Sequence, residues 1–310
     1  MSSTAVVFPG MGPSTFADVG KFMIVNPFAK ARLAEASEAV GYDVLTAFSR
    51  SEHVYTEVAQ VAFVVNSIAV SDWAREHLGL NPLLCAGPSN GLRAATAFSG
   101  ALSFADTVRL TADLAAWERE YFDRAENADI VTHSFVRTPG DALAEMLAEL
   151  DERGEWAEIS SYLEDGFFNV SLREHNLDWF KQSIRDAGGY SMYTMRPPAH
   201  SSLFEPQREH AAREIYPKYT FADPDLPLVA DHDGALVTTG EGVRELHLAG
   251  IVQPVRWDSV VGTLRQHGVE RVCVTGSDNL FRRLRSTKSF EVVAVDPDRA
   301  LKHRKSLVQR

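Results

Sequence analysis

Serine and glycine residues in one short segment have the types and spacing for nucleophilic chemistry. Gly87-Pro88-Ser89-Asn90-Gly91 fits G-x-S-x-G, a pattern in which a serine is held on a sharp turn between a strand and a helix. The apolar run Leu83–Ala86 predicts a buried strand before the turn, and Ala94–Phe98 predicts a helix after it. Glycines are expected where a Cβ atom would clash with the chain. We therefore predict that Ser89 is a nucleophile.

A serine nucleophile needs a base, and two of the ten histidines are the main candidates. His200 lies in Pro197-Pro198-Ala199-His200-Ser201, just after a predicted strand. His232 is its rival because Asp231 and Asp233 flank it, and these three residues could also be read as a metal site. No other group of candidate ligands has supporting spacing, so we expect no metal. From the residues alone, either histidine could be the base.

The elements that would position these residues follow an α/β order. Residues 123–192 contain a strand-helix-strand-strand-helix-strand pattern, the order of a ferredoxin-like unit. We therefore predict a small ferredoxin-like subdomain over residues 123–192. Residues 1–122 and 193–310 would form a large α/β-hydrolase-like subdomain with a mostly parallel central sheet. Near the C-terminus, the apolar pattern predicts helices over Val255–His267 and Asn279–Arg285.

Composition limits the classes of partner. The chain has 310 residues and a formal net charge of −11, which argues against a nucleic-acid partner. It has no apolar run long enough to span a membrane, and its first residues contain no cleavable signal, so we expect a cytoplasmic protein. Cys85 and Cys273 lie in apolar runs and are interpreted as core residues. Residues 282–310 contain nine basic and three acidic residues, which suits an acidic partner or a solvated tail.

Three segments together resemble the malonyl-CoA:acyl carrier protein transacylases and the acyltransferase domains of polyketide synthases. They are Phe8-Pro9-Gly10-Met11-Gly12 against the family's F-P-G-Q-G, Gly87–Gly91 against G-H-S-x-G, and Pro198-Ala199-His200-Ser201 against P-x-H-S. Phe104–Leu110 and Gln253–Trp257 match further family signatures. Their order and spacing agree over nearly the whole chain, which is similar to a discrete, trans-acting member.

The resemblance implies a ping-pong transfer of an acyl group between thioesters. Ser89 would attack the donor thioester, and His200 would act as general base. The backbone N–H groups of Met11 and Asn90 would form the oxyanion hole. Backbone carbonyls in Gly250–Gln253 would orient the histidine in place of a carboxylate, which favours His200 over His232.

The resemblance also implies partners and a setting. An acyl carrier protein would bind transiently, and its phosphopantetheine arm, or CoA, would carry the substrate with no bound cofactor. We expect a monomeric enzyme of polyketide or antibiotic biosynthesis, with no nucleic-acid or membrane partner. Because the carrier is acidic along its recognition helix, basic residues would receive it. These are Arg282, Arg283 and Arg285, with Arg196 and Arg173 at the rim of the cleft.

The departures from the family pattern concern the acyl pocket. Malonyl-selective members carry an arginine 25 residues after the serine, where this chain has Leu114. Family glutamines are replaced by Met11 and Gly250, Pro88 replaces the histidine before the serine, and Leu92-Arg93 replaces an acidic-aromatic pair. A buried malonyl carboxylate would lack its cation beside Leu114. We therefore predict a larger or uncharged acyl group.

Three alternatives remain open at this point. An editing hydrolase that clears acyl groups from carrier proteins would use the same serine and histidine. An ordinary malonyl-CoA:acyl carrier protein transacylase would tolerate the pocket changes. A catalytically silent module that binds carrier proteins is disfavoured because Ser89 and His200 both stand in their motifs.

Overall fold

The structure, a computed structural model, describes residues 3–12, 14–51, 53–278 and 280–308, with side chains up to residue 302. The strands are β1 (Thr4–Val7), β2 (Leu84–Ala86), β3 (Ile130–Val136), β4 (Ala157–Glu164), β5 (Phe167–Arg173), β6 (Tyr190–Met195), β7 (Leu228–Val229), β8 (Leu236–Val237), β9 (Val255–Arg256), β10 (Arg271–Thr275) and β11 (Glu291–Val295). The helices are α1 (Phe16–Val25), α2 (Pro27–Val40), α3 (Val44–Ser49), α4 (Glu57–Leu78), α5 (Gly91–Phe98), α6 (Phe104–Phe122), α7 (Gly140–Glu152), α8 (Leu177–Asp186), α9 (Glu205–His210), α10 (Gly240–Val252), α11 (Trp257–Gln266) and α12 (Pro297–Val308). Shorter helical turns cover Glu174–Asn176, Ser202–Phe204, Ala211–Ile215, Tyr216–Lys218, Phe281–Arg283 and Thr287–Ser289.

The larger sheet has six strands in the order β11-β10-β1-β2-β7-β8. All neighbouring pairs are parallel except β7 with β8. Strands β1 and β2 are buried along their whole length, as expected for a sheet with helices on both faces. Cys85 and Cys273 lie in β2 and β10 as free, buried thiols, which agrees with their interpretation as core residues.

The carboxyl ends of the parallel strands bring four loops to one edge of this sheet. The loop after β1 contains Met11, the loop after β2 contains Ser89, the loop after β7 contains Asp231, and the loop after β10 contains Asp278. In open α/β sheets, ligands bind in the crevice beyond the carboxyl ends of the strands. The topology therefore places the predicted nucleophile where the fold favours a site.

The smaller sheet has five strands in the order β6-β3-β5-β4-β9. Its four antiparallel strands and helices α7 and α8 have the β-α-β-β-α-β sequence and strand order of a ferredoxin-like unit. The fifth strand, β9, comes from the later part of the chain and pairs in parallel with β4 through Ser161 and Tyr162. The predicted fold class, a large α/β unit with a small ferredoxin-like one, is confirmed.

Helix boundaries follow from local capping groups. The Thr56 side chain accepts a hydrogen bond from Ala59 N at the start of α4, and Gly79 ends this helix in a left-handed conformation. At the start of α6, Ser103 Oγ accepts from Asp106 N at 3.0 Å. Helix α4 is buried from Ala59 to Ala74 with one half-buried exception, so it forms the centre of the large core. None of the helices in the described ranges is both long and apolar enough to span a membrane.

Two predicted helices near the C-terminus are wrong in part. Val255–Arg256 is strand β9 because it completes the smaller sheet, so the helix begins only at Trp257. Instead of a helix over Asn279–Arg285, the chain forms a short turn at Phe281–Arg283; Asn279 lies outside the described residues. The Asp278 side chain accepts hydrogen bonds from the N–H groups of residues 280–282, which replaces helical hydrogen bonding there.

Candidate active site

Ser89 occupies a strained turn between β2 and α5. Its φ of 55° lies in the left-handed region, which is uncommon for a residue with a Cβ atom. Gly87 and Gly91 are required by close approach: a Cβ on Gly87 would overlap the Gly91 carbonyl, and one on Gly91 would overlap the Phe8 carbonyl and lie 2.8 Å from Pro9 O. The turn is thus the strand-to-helix elbow that the motif predicts.

His200 contacts the serine through one ring nitrogen and a backbone carbonyl through the other. Its Nε2 lies 2.8 Å from Ser89 Oγ, and its Nδ1 lies 2.6 Å from Gly250 O. Since a carbonyl oxygen only accepts, Nδ1 carries the proton and Nε2 is free to accept the serine hydroxyl proton. This is the geometry of a serine with its general base, and a backbone carbonyl orients the histidine.

The loop that carries His200 is fixed by contacts from the smaller sheet. Glu158 on β4 accepts hydrogen bonds from Ser201 Oγ at 2.6 Å and from Ser202 N at 3.1 Å. Thr132 Oγ1 on β3 accepts from Ala199 N at 3.2 Å. The His200 backbone has a φ of 59°, so these contacts hold a second strained residue in place.

Asp231 is a site residue that the sequence analysis missed, although it stood in the rival histidine cluster. Its Oδ2 accepts the backbone N–H of Ser89 at 2.8 Å, and its side chain is 5% exposed. His232 instead lines a different cavity with Glu205 and Arg208. Among the described residues, no group of three or more histidine, cysteine or carboxylate side chains has the arrangement of a metal site.

Burial shifts the pKa values of His200 and Asp231 in opposite directions. Desolvation lowers the pKa of His200, while the Asp231 charge and the Gly250 carbonyl oppose this effect. Desolvation raises the pKa of Asp231, while His200 and the Ser89 N–H oppose it. Both shifts favour an imidazole that is neutral before it receives the serine proton.

Two cavities meet at the serine and histidine. An outer cleft of about 420 Å³ lies between the two sheets and is lined by Met11, Pro88 and Tyr193, among others. An inner chamber of about 110 Å³ is lined by Asn90, Arg93, Leu114, Glu118 and Gly250, among others. Ser89 and His200 line both cavities. Of the predicted pocket residues, Leu114, Arg93 and Gly250 therefore line the inner chamber, whereas Pro88 faces the outer cleft.

Glu118, a polar residue of the inner chamber, was not predicted, and neither was Gln60, which contacts it. Glu118 lies one turn after Leu114 on α6, and its Oε2 accepts a hydrogen bond from Gln60 Nε2 at 2.8 Å. Gln60 Oε1 in turn accepts from the Arg93 guanidinium. Burial lowers the pKa of Arg93 and raises that of Glu118, and each charge opposes the other's shift. The chamber thus contains a cation whose charge is balanced by a carboxylate.

The residues predicted for carrier docking fall into two groups. Arg282 lines the outer cleft and forms an ion pair with Asp296 at 3.0 Å, and Arg283 and Arg285 nearby are exposed. Arg173 pairs with Asp129 at 2.5 Å, and Arg196 pairs with Glu174.

The second group does not line the outer cleft, and its predicted role at the rim stays a prediction. Arg196 lines a separate cavity with Tyr55 and Phe122, and neither Arg173 nor Arg196 is among the described residues that line the outer cleft. Strand β6 ends at Met195, so Arg196 lies in the loop that follows it.

Comparisons with known proteins agree with this geometry. The family model described as VinK acyltransferase small domain matches residues 134–195. The malonyl CoA-acyl carrier protein transacylase of Escherichia coli O157:H7 is 26% identical over 281 residues, which cover 89% of each chain. The chain is similar to the malonyl-CoA:acyl carrier protein transacylases over most of its length.

Two further comparisons match proteins whose names refer to polyketide biosynthesis or to a polyketide synthase. The polyketide biosynthesis protein ThaF of Burkholderia thailandensis is 26% identical over 295 residues, which cover 92% of this chain and 24% of that protein. The fold matches, with a TM-score of 0.83 and 21% identity, the malonyl-transacylase in a complex with a type II polyketide synthase acyl carrier protein (PlMCAT:AntF). That match covers 98% of this chain and all of the other. The predicted resemblance to the malonyl-CoA:acyl carrier protein transacylases is confirmed as a similarity of sequence and of fold.

Proposed function

We propose that the chain is an acyltransferase that moves an acyl group between thioesters through an acyl-Ser89 intermediate. The observation that carries the proposal is the contact series from Ser89 Oγ to His200 Nε2 and from His200 Nδ1 to Gly250 O, at 2.8 and 2.6 Å. The family relation supports acyl transfer as the reaction. The structure of a related transacylase with a polyketide synthase carrier protein supports an acyl carrier protein as partner.

The reaction proceeds in two halves with one base. Ser89 Oγ attacks the thioester carbonyl while His200 Nε2 takes the hydroxyl proton, and the backbone N–H groups of Met11 and Asn90 bind the developing oxyanion. The tetrahedral intermediate collapses, and the thiolate leaves with the proton from His200. The phosphopantetheine thiol of the acceptor then gives its proton to His200 and attacks the acyl-serine carbonyl. Ser89 Oγ leaves and takes this proton back from His200, which restores the starting enzyme.

We further propose that the acyl group lacks a free carboxylate. Leu114 lines the inner chamber where malonyl-selective relatives carry a cation, and the Arg93 charge in the same chamber is balanced by Glu118. A malonyl carboxylate placed there would lose its water without gaining an unengaged cation. The similarity to ThaF supports a place in polyketide biosynthesis, and we propose a monomer that needs no bound cofactor.

One observation favours a second candidate, an ordinary malonyl transferase. The Arg93 guanidinium lines the same chamber as Ser89, and the relatives are named as malonyl transacylases. If Arg93 rotated away from Gln60, its guanidinium could bind the malonyl carboxylate. The cation would then come from α5, whereas malonyl-selective relatives carry it at the position of Leu114 on α6. The two candidates differ in one measurable property, the ability of malonyl-CoA to acylate Ser89.

Intact-mass analysis of the protein after exposure to a panel of acyl thioesters tests the proposal. We expect an adduct from uncharged acyl groups on CoA or on a carrier protein, and no adduct in Ser89→Ala. Efficient labelling by malonyl-CoA would support the malonyl transferase. Release of free acid without an acceptor would indicate an editing hydrolase, and carrier binding without any adduct would indicate a silent module.

A further inference from the structure

Asp231 links the Ser89 turn to β7, the strand that lies beside β2 in the large sheet. It follows β7, and its backbone carbonyl accepts the N–H of Arg256 at 2.6 Å. Its carboxylate accepts the N–H of Ser89 at 2.8 Å, while the Ser89 hydroxyl contacts His200 Nε2 at the same distance. The serine therefore lies between a carboxylate on its main chain and an imidazole on its side chain.

The first consequence concerns the backbone of the elbow. Ser89 adopts a φ of 55°, a region that residues with a Cβ atom disfavour. A hydrogen bond from a backbone amide to a carboxylate is stronger than one to a neutral acceptor. Because the Ser89 N–H donates to Asp231 while the backbone has this φ, the bond stabilises the strained elbow.

The second consequence concerns charge. In the inner chamber, Arg93 on α5 and Glu118 on α6 balance each other, and burial and Arg93 lower the pKa of His247 on α10 to about 3, so it stays neutral. Charged groups on the cleft side are Asp18, Asp278, Asp298 and the pair Arg282–Asp296, and Glu158 binds the loop after His200. His232 neighbours Asp231 from the same turn. Asp231 is the carboxylate that contacts the nucleophile directly.

We propose that Asp231 is a positioning residue that holds Ser89 in its reactive conformation and stabilises the positive charge on His200 during transfer. This inference rests on the proposed function, because it assigns His200 as the base for Ser89. It differs from a catalytic triad, since the carboxylate binds the serine amide and a backbone carbonyl binds the histidine.

Labelling of Ser89 by a fluorophosphonate probe tests the inference across pH. The serine oxygen bonds to phosphorus, fluoride leaves, and His200 receives the hydroxyl proton, so no acyl specificity is involved. Asp231→Asn keeps an oxygen acceptor for the Ser89 N–H but removes the charge. We expect labelling at pH 7 to fall about tenfold, and the acid limb of the pH profile to move to lower pH, because a lost negative charge destabilises the imidazolium.

Asp231→Ala removes the acceptor as well, so labelling should fall further than in Asp231→Asn. Asp233→Asn is the matched control, since it neutralises an exposed carboxylate in the same turn and should label like the wild type. If Asp231→Ala does not fold, the acid limb of Asp231→Asn alone decides. An Asp231→Asn protein with wild-type labelling, or with an unshifted acid limb, would overturn the inference. A wild type that reacts with the probe but with no thioester would refute the proposed function instead.

Discussion

At the scale of single residues, the inner chamber differs from a malonate site in where its charges lie. Leu114 on α6 is apolar, Glu118 one turn later is anionic, and Arg93 from α5 interacts with Glu118 through Gln60. A substrate group that enters this chamber meets a polar but electrically balanced surface. Under the proposed function, side chains from two neighbouring helices, α5 and α6, would face the acyl group.

Leu114→Arg should restore a malonate partner. A cation at this position gives the substrate carboxylate a charge-assisted hydrogen bond, and such bonds contribute about 1.5–3 kcal/mol, or roughly tenfold to a hundredfold. We expect the ratio of malonyl to uncharged acylation of Ser89 to rise by that factor in intact-mass rates. Leu114→Met, which keeps an apolar side chain of similar volume, is the control. An unchanged ratio would show that the acyl carboxyl group does not reach residue 114.

The acylation rate should stay constant down to a lower pH than it would with a histidine of ordinary pKa. Burial lowers the pKa of His200 below the ordinary value of 6.5. The histidine therefore stays neutral, and able to act as a base, at pH values where an exposed histidine would already be protonated. The rate should be full above the folded-state pKa and decrease as the pH falls through it, with a midpoint below 6.5. Stopped-flow acylation between pH 4.5 and 8, with thermal unfolding measured at each pH, checks this. A midpoint above 6.5 would contradict it.

The sequence predicted the pair Ser89 and His200 but missed residues that contact this pair and the chamber beside it. Ser89 and His200 stand in short motifs, and the resemblance implied a carbonyl partner near Gly250. Asp231 reaches Ser89 across 142 residues, and Gln60 reaches Glu118 across 58. Such contacts depend on how β7 and α4 pack against the elbow, and no local pattern encodes that packing.

At the scale of elements, the elbow depends on contact between backbones. The residue Gly91 begins α5 directly beneath the end of β1, with Phe8 O and Pro9 O in the space that a Cβ would occupy. This contact fixes the start of α5, the helix that follows Ser89. The G-x-S-x-G motif predicted this close approach because the short distance between the two backbones leaves room only for glycine at position 91.

Gly91→Ala should destabilise the protein and slow acylation. The new methyl group would overlap backbone atoms that cannot rotate away, which corresponds to an overpacking cost of about 1–3 kcal/mol. Gly262→Ala on α11 is the matched control because its Cβ would meet no atom within 4 Å. That change should stabilise the fold by about 0.5–1 kcal/mol, since alanine favours helix. Chemical denaturation of both variants measures the difference, and equal stability would contradict the prediction.

At the two helices that were predicted wrongly in part, contacts with other parts of the structure override the local helical pattern. Val255–Arg256 has helical spacing, yet its backbone pairs with β4 because the smaller sheet offers an unpaired edge there. After β10, the Asp278 carboxylate accepts hydrogen bonds from the N–H groups of residues 280–282. The conformation is set by a strand distant in sequence at Val255–Arg256, and by the side chain of one neighbouring residue after Asp278.

At the scale of the whole molecule, the candidate catalytic residues Ser89 and His200 are positioned by both sheets. Ser89 belongs to the large sheet, whereas the loop of His200 is held by Glu158 on β4 and Thr132 on β3. Strand β9 joins the smaller sheet, and the Arg256 guanidinium lies 4.3 Å from the centre of the Tyr162 ring. The outer cleft opens between these two units, so a carrier protein that delivers its arm to Ser89 must dock at the mouth of the cleft.

Charge reversal of Arg283 and Arg285 should weaken carrier docking without harming the chemistry. Both side chains are exposed close to Arg282, which lines the cleft, and neither forms an ion pair with a described residue. For Arg283→Glu/Arg285→Glu we expect KM for an acidic carrier protein to rise about threefold to tenfold, with less effect at high salt. Turnover with a pantetheine thiol as acceptor should remain unchanged, because that acceptor carries no recognition helix.

The matched control reverses two exposed charges elsewhere. Lys30→Glu/Arg185→Glu alters the net charge equally, but Lys30 lies on α2 and Arg185 on α8, and neither residue lines the outer cleft. If both double variants raise KM for the carrier alike, the effect reflects net charge. If KM rises equally for carrier and pantetheine in Arg283→Glu/Arg285→Glu, the change has disturbed the cleft. A selective rise in KM for the carrier is the result that identifies this basic turn as its docking surface.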